Sequence, residues 1–273
     1  MRTGDAAPST ENPLTPEPLP AGHYARKQIF CKDWLIAWTH RSRFATGVRL
    51  ARRFRGQRVL DYGCGDGTFL AMLCSSTDRP AEAVGVELDA FQIDDCRVRL
   101  GQLRGLSFEP IASLDTAAQS GRFDAVICME VLEHVVDLET VITRLWWVLA
   151  PGGILIVSVP VETGLPLLIK QAARRVAGWR GLGDYAHTTS YTPAEYWAGL
   201  TAGRTQHMPR PQYGAETPFH DHKGFNWMSL REKLRRRFTL EKTLASPIAW
   251  LGPHLASQVW FVMRKGNAPE NRL

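Results

Sequence analysis

Three groups of residues in this chain have the types and spacing to do chemistry. The first is VLDYGCGDG, Val59 to Gly67, followed twenty residues later by Glu87. Gly63, Gly65 and Gly67 fall between a predicted strand and a predicted helix. There, absent side chains let the backbone turn tightly and approach a ligand, so a nucleotide-like cofactor is expected. Glu87 ends the next predicted strand, where two carboxylate oxygens suit two ribose hydroxyls. Dinucleotide sites need GxGxxG to seat a pyrophosphate, whereas this loop reads DxGxGxG. The Asp61 carboxylate beside it would repel a pyrophosphate and favour a cationic ligand.

The second group is Glu130, Glu133 and His134 in EVLEH. If Val131 to Val135 forms a helical turn, these i, i+3 and i+4 side chains share one face. Two carboxylates and an imidazole can ligate a divalent cation such as Mg²⁺, which lowers the pKa of a bound hydroxyl. Such a site needs a further ligand, and His187 in HTTSYTPAEYW is the candidate. Two other readings stand beside it: a metal-free general base at His134 or His187, and a local packing role for the Glu and His. The third group is HDHKGFNW, His220 to Trp227. It reads either as a metal or acceptor contact, or as His220 and His222 capping a helix that starts near Ser229.

The elements that must position these groups follow from periodicity. Short apolar runs alternate with helical patterns: Val59-Leu60, then Thr68 to Cys74; Ala83 to Val86, then Ala90 to Leu103; Phe123 to Cys128, then Leu138 to Leu149; then Ile154 to Val159. This βαβα rhythm predicts an α/β, doubly wound, Rossmann-like fold with a seven-stranded, mostly parallel sheet. Asp137 is a predicted helix N-cap, Pro151-Gly152-Gly153 a stop and turn, and Thr192-Pro193 a helix start. Phe238 to Leu244 and Ser257 to Met263 read as two closing strands. The expected organisation is a disordered, Pro-rich tail at 1–20, a helical cap at 21–55, the catalytic domain at 56–265 with a lid insertion at about 161–230, and a tail at 266–273.

The string VLDYGCGDGTFL resembles the first motif of class I S-adenosylmethionine-dependent methyltransferases, and GVELD their ribose-binding turn. The resemblance runs on through FDAVICMEVLEHVVD and LAPGGILIVSVP, over about residues 56 to 162. It implies S-adenosylmethionine as cofactor, with Asp61, Gly63 and Gly65 along the methionine portion and Glu87 on the ribose. Cys64, Gly67, Leu88 and Met129 complete the implied cofactor set. PIASL at Pro110 to Leu114 departs from the acidic residue common near the adenine, so adenine contacts are left unassigned. The ExxEH run is shared with ubiquinone-pathway O-methyltransferases of the type 11 group. ExxEH with a later His also resembles the metal site of small-RNA 3′-terminal 2′-O-methyltransferases. KGFNW and SPIAWLGPHLASQVWFVMRK are similar to segments of bacterial glycan-pathway methyltransferases.

The whole chain sets the bounds. Its 273 residues suffice for one core with an appended lid. No apolar run nears the roughly 20 residues of a membrane span, and no secretory signal is evident, so a cytoplasmic location is expected. The cysteines Cys31, Cys64, Cys74, Cys96 and Cys128 lack CxxC spacing and read as reduced, mostly buried thiols. A net charge of +6 tolerates an anionic substrate or lipid surface. The segment Leu165 to Val176 is amphipathic with Lys170, Arg174 and Arg175, suiting either peripheral membrane contact or a lid. The expected activity is O-methylation of a hydroxylated small molecule, glycan or lipid-linked precursor. RNA 2′-O-methylation and N-methylation of a small molecule are the alternatives, and no basic, aromatic-interleaved platform for nucleic acid is evident.

Overall fold

Strands covered on both faces must be apolar at successive positions, and that is how the centre of this chain is built. The computed structural model describes residues 21–179 and 191–266. Parallel strands β1 (Arg58–Tyr62), β2 (Glu82–Glu87), β3 (Leu106–Pro110), β4 (Phe123–Met129) and β5 (Leu149–Pro160) are followed by a separate two-stranded hairpin, β6 (Gln212–Tyr213) and β7 (Phe219–His220). The closing strands are β8 (Phe238–Ser246) and β9 (Gln258–Lys265). The main sheet has seven strands in the order β3-β2-β1-β4-β5-β9-β8, with β9 antiparallel to both of its neighbours. The expected α/β sheet is therefore present.

Alternation along each strand sorts its side chains onto two faces. Leu60, Val84, Val126, Leu155 and Phe261 pack on one face against α5 (Leu138–Val148) and α8 (Trp227–Arg235). Val59, Ala83, Ala125, Ile156 and Trp260 pack on the other, against α1 (His23–Gln28), α2 (Trp34–Ala51), α3 (Thr68–Cys74) and α4 (Ala90–Leu100). Two-residue steps from Val59, Ala83 and Ala125 lead to Asp61, Glu87 and Met129. These three therefore reach the carboxyl ends of adjacent strands on the face covered by α1 to α4. The insertion after β5 holds α6 (Leu165–Trp179), α7 (Pro193–Leu200) and the β6–β7 hairpin.

Local signals account for several boundaries. Asp137 caps α5 by accepting from the Thr140 N–H at 3.1 Å. Thr192 and Glu195 form a reciprocal capping box at the start of α7, with Pro193 at its first position. The cap of α8 differs from the expectation: Asn226, not His220 or His222, accepts from the Met228 and Ser229 N–H groups. β3 had no counterpart among the predicted runs. LSFEP is a half-exposed edge strand ending in proline, so it lacks the continuous apolar run of a central strand.

Candidate active site

The loop between β1 and α3 is bonded to β2. The Gly63 and Cys64 N–H groups both donate to the Val86 carbonyl, at 2.9 and 3.0 Å. The Gly65 N–H donates to Glu87 Oε2 at 2.9 Å, and the Leu88 N–H to Glu87 Oε1 at 2.7 Å. The glycine loop and its acidic partner are thus one hydrogen-bonded unit. Gly65 has φ +53°, a left-handed conformation that a β-branched residue resists. At Gly67 a Cβ would lie 2.8 Å from Leu100 and 3.0 Å from Phe108, so helix packing demands glycine there.

Asp61 sits under this loop, 2% exposed, with no hydrogen-bond or ion-pair partner among the described residues. Burial, reinforced by the nearby Glu87 charge, pushes its carboxyl up to about 8. A buried acid held this way gains most from a cation placed beside it, which restores the carboxylate. The neighbouring Cys64 thiol is also raised, by its hydrogen bond with Cys96 and by burial, and stays neutral. A partnerless buried carboxyl under a glycine loop, with a second carboxylate at the loop's edge, fits the sulfonium and ribose of S-adenosylmethionine.

The amino-terminal helices close over this unit. Asp66, inside the glycine loop, accepts from the Ala25 N–H at 2.8 Å and so holds the first turn of α1. The Tyr24 ring lies 3.4 Å from where a Cβ on Gly65 would be, and Arg99 donates to the Asp66 carbonyl at 2.7 Å. Along α2, Gly47 packs at the Met129 thioether. The Arg43 guanidinium, nearer the amino end of α2, lies 3.6 Å from Glu130. None of Tyr24, Asp66 or Arg43 was singled out from sequence. The only signal was an extra acid in the glycine loop, and its partner lies 41 residues away.

After β4 the chain makes one tight turn in place of the expected helical face, closed by the His134 N–H donating to the Val131 carbonyl at 2.9 Å. Glu130 has φ +55°, rare for a residue with a side chain and typical of functional turns. Its carboxylate accepts from Ser158 Oγ at 3.1 Å and faces Arg43, which ties the end of β4 to β5 and α2. Glu133 has no such partners. It is fully buried, and both of its carboxylate oxygens lack a hydrogen-bond partner. Burial, with the Glu130 charge adding to it, pushes this carboxyl well up.

His134 Nδ1 lies 2.7 Å from the His220 carbonyl, which can only accept. The proton therefore sits on Nδ1, and Nε2 keeps its lone pair, 3.8 Å from Glu133 Oε1. Burial holds this imidazole below its ordinary range, and His222 adds to that effect. The β6–β7 hairpin brings His222 alongside: the His220 N–H donates to the His134 carbonyl at 2.9 Å, and Val135 bridges to Phe219. The His134 and His222 rings are 5.0 Å apart. Glu133, His134 and His222 each present a ligand-type atom, all within 4.8 Å of one another.

The four residues proposed from sequence for this centre are thus divided. Glu133 and His134 come together, Glu130 is turned to Arg43 and Ser158, and His187 lies outside the described residues. His222, noted from sequence only within HDHKGFNW, is the third member of the cluster. Its Nδ1 is 3.5 Å from Glu162 Oε1. Burial alone would raise the Glu162 carboxyl, but Lys170, His222 and Arg174 outweigh it and hold the group far below the usual range. Lys170 and Arg174, each 3.0 Å from Glu162, therefore face inward. Committed to Glu162, these two side chains suit the lid reading of this segment better than peripheral membrane contact.

A family model described as a methyltransferase domain matches residues 37–203, which spans the glycine loop, the Glu130–His134 turn and most of the insertion. The chain belongs to this methyltransferase family. The ubiquinone biosynthesis O-methyltransferase of Chelativorans sp. (strain BNC1) is 31% identical over 166 residues, 58% of this chain and 62% of that relative. The same-named protein of Mesorhizobium japonicum is 32% identical over 119 residues, 43% of this chain and 46% of that relative. The chain spans about half to three fifths of the length of these curated relatives. Among solved structures, the methyltransferase domain of bacterial CtHen1-C is similar with a TM-score of 0.54 at 16% identity, over 84% of this chain and 99% of that one, a likeness of fold. The Asp61, Gly65 and Glu87 unit has the chemistry that S-adenosylmethionine, as the donor of such a methyltransferase, needs. No described helix is long and apolar enough to cross a membrane.

Proposed function

We propose that this methyltransferase transfers a methyl group to a hydroxyl oxygen of an acceptor with an adjacent hydroxyl, a small molecule, glycan or lipid-linked precursor. The observation that carries this reading is the cluster of Glu133, His134 and His222 beyond the end of β4, next to the cofactor unit. The ubiquinone biosynthesis O-methyltransferase name of the sequence relatives supports an oxygen acceptor.

When bound, S-adenosylmethionine supplies an electrophilic methyl on a sulfonium, and the protein's contribution is alignment and proton removal. Nε2 of His134 accepts the acceptor's hydroxyl proton as the new C–O bond forms, while the C–S electron pair stays on sulfur. The imidazole is neutral and oriented for this because Nδ1–H is committed to the His220 carbonyl. Arg43 and Ser158 hold Glu130 away from that path.

The same cluster suits a divalent cation. Glu133 has two orphaned oxygens, and both imidazoles have their Nδ1 atoms set against acceptors, the outer arrangement that orients ligating histidines. In that alternative arrangement Glu133, His134 and His222 would hold the ion, which would itself lower the pKa of a bound hydroxyl, and His134 Nε2, as a ligand, would no longer take the proton. One carboxylate with two imidazoles suits Mn²⁺ or another first-row ion better than the all-oxygen preference of Mg²⁺.

A methyl-transfer screen tests the reading, using catechols, sugar diols and lipid-linked diols beside mono-methylated partners that lack the second free hydroxyl, with and without chelator. Turnover of a diol at least tenfold above its mono-methylated partner is expected. Transfer confined to amines would overturn the oxygen reading. Turnover unchanged by chelator, with no Mn²⁺ binding by calorimetry, would remove the metal.

A further inference from the structure

Charge is unevenly spread along this chain. Residues 21–55 hold nine of the 33 Lys and Arg but one of the 27 Asp and Glu, so they carry +8 and the remainder −2. Of those nine basic residues only Arg43 is buried. The same segment exposes Phe30 (63%), Trp34 (75%), Leu35 (52%) and Trp38 (41%). Trp34, Leu35 and Trp38 share a face of α2 by i, i+4 and i, i+3 spacing, and Phe30 lies in the turn just before it. Asp33 fixes that first turn by accepting from the Leu35 and Ile36 N–H groups. Exposed Arg26, Lys27, Lys32 and Arg41 flank the apolar side chains.

Large apolar groups ringed by cations match a surface that has anionic headgroups over hydrocarbon. A second copy of the chain fits less well, since a symmetric pairing here would bring Arg26, Lys27, Lys32 and Arg41 of one copy against those of the other. A single nucleic-acid strand is gripped in a basic groove with aromatics facing into it, whereas these side chains project outward from a helix. Position gives the surface a purpose. Trp38 is about 8 Å along the α2 axis from Arg43, which faces Glu130 at the acceptor end of the site.

We propose that the outer end of α2 docks the enzyme on an anionic lipid surface and presents its acceptor site to a membrane-borne substrate. The docking stands on the exposed side chains and the charge. The membrane-borne acceptor rests in addition on the proposed O-methylation.

The test is cosedimentation of the full chain with phosphatidylglycerol/phosphatidylcholine vesicles and with phosphatidylcholine alone, reading tryptophan emission as well. The expected result is binding to the anionic vesicles, a blue shift, at least tenfold weaker binding by Trp34→Ser/Trp38→Ser, and weakening by salt. Affinity for S-adenosylhomocysteine should be unchanged in that variant, which shows that it is folded. Lys27→Glu/Lys32→Glu should also bind more weakly. Equal binding to neutral vesicles, vesicle binding unaffected by the Trp substitutions, a dimer that shields Trp34, or retention of short RNA with no vesicle binding would each overturn the docking. Vesicle binding needs no acceptor, so turnover of a soluble diol separately tests the O-methylation reading.

Discussion

The proposed cofactor half and the proposed acceptor half of this site are built by different means. The cofactor half is mostly backbone: Gly63, Cys64 and Gly65 bond to Val86 and Glu87 within one βαβ unit, with the buried Asp61 carboxyl beneath them. The acceptor half is side chains from distant segments, with His134 oriented by the His220 carbonyl and His222 set against Glu162. Backbone geometry is specified by local glycines, so the first half is robust to changes elsewhere. The second depends on the β6–β7 hairpin being pinned to the turn after β4, and can be altered without disturbing the cofactor.

The largest expected effect comes from filling the cofactor loop. Gly65→Val puts a β-branched residue at φ +53° beside the Tyr24 ring, and should weaken S-adenosylhomocysteine binding by about 100-fold or more, about 2.7 kcal/mol. Calorimetric titration checks it, and near-native affinity would mean that the loop does not touch the cofactor. Glu87→Ala removes both the loop's acceptor and the proposed ribose contact. A loss of about 10- to 100-fold is expected in the same assay, consistent with hydrogen bonds to a charged group.

Asp61 sharpens the comparison through pH. Its carboxyl lies at about 8 in the fold against an ordinary 3.8, so the unfolded chain ionises first. Stability from this group is present below about pH 4 and is lost as pH rises towards 8, at about 1.36 kcal/mol per pH unit. Asp61→Asn should therefore raise Tm without cofactor, by a margin that grows from pH 5 to pH 8 and then levels. A cationic ligand prefers the carboxylate, so wild-type affinity for S-adenosylmethionine should rise with pH up to about 8. The Asn variant should bind weakly, with a flat profile. Equal pH slopes in the two proteins would show that Asp61 does not face the cation. The smallest effect on the site belongs to the scaffold: Asn226→Ala removes the α8 cap and the amide's bonds to the Gly203 and Gln206 carbonyls, and should cost about 2 kcal/mol in chemical denaturation, with cofactor affinity intact.

This division also explains what could be read in advance. Strand alternation and the glycine spacing are local, so the sheet, α3 and the Asp61–Glu87 pair were legible in the sequence. The edge strand β3 was not, because a half-exposed LSFEP carries little periodic signal. The ExxEH spacing suggested one helical face, but Glu130 at φ +55° breaks the helix and its carboxylate is taken up by Ser158 and Arg43. His222 is joined to His134 across 88 positions by a hairpin of two-residue strands, and no periodicity encodes that contact. The clamp of Asp66 on α1 is equally non-local.

The central claim is that donor binding and acceptor activation are separable within one site. The most direct measurement pairs S-adenosylhomocysteine titration with turnover of the best diol acceptor, on wild type and His134→Ala. The account predicts Kd within twofold of wild type and kcat lowered by about 100-fold, in the range general acid–base groups contribute. A Kd shifted as much as the turnover, or a kcat left unchanged, would contradict it.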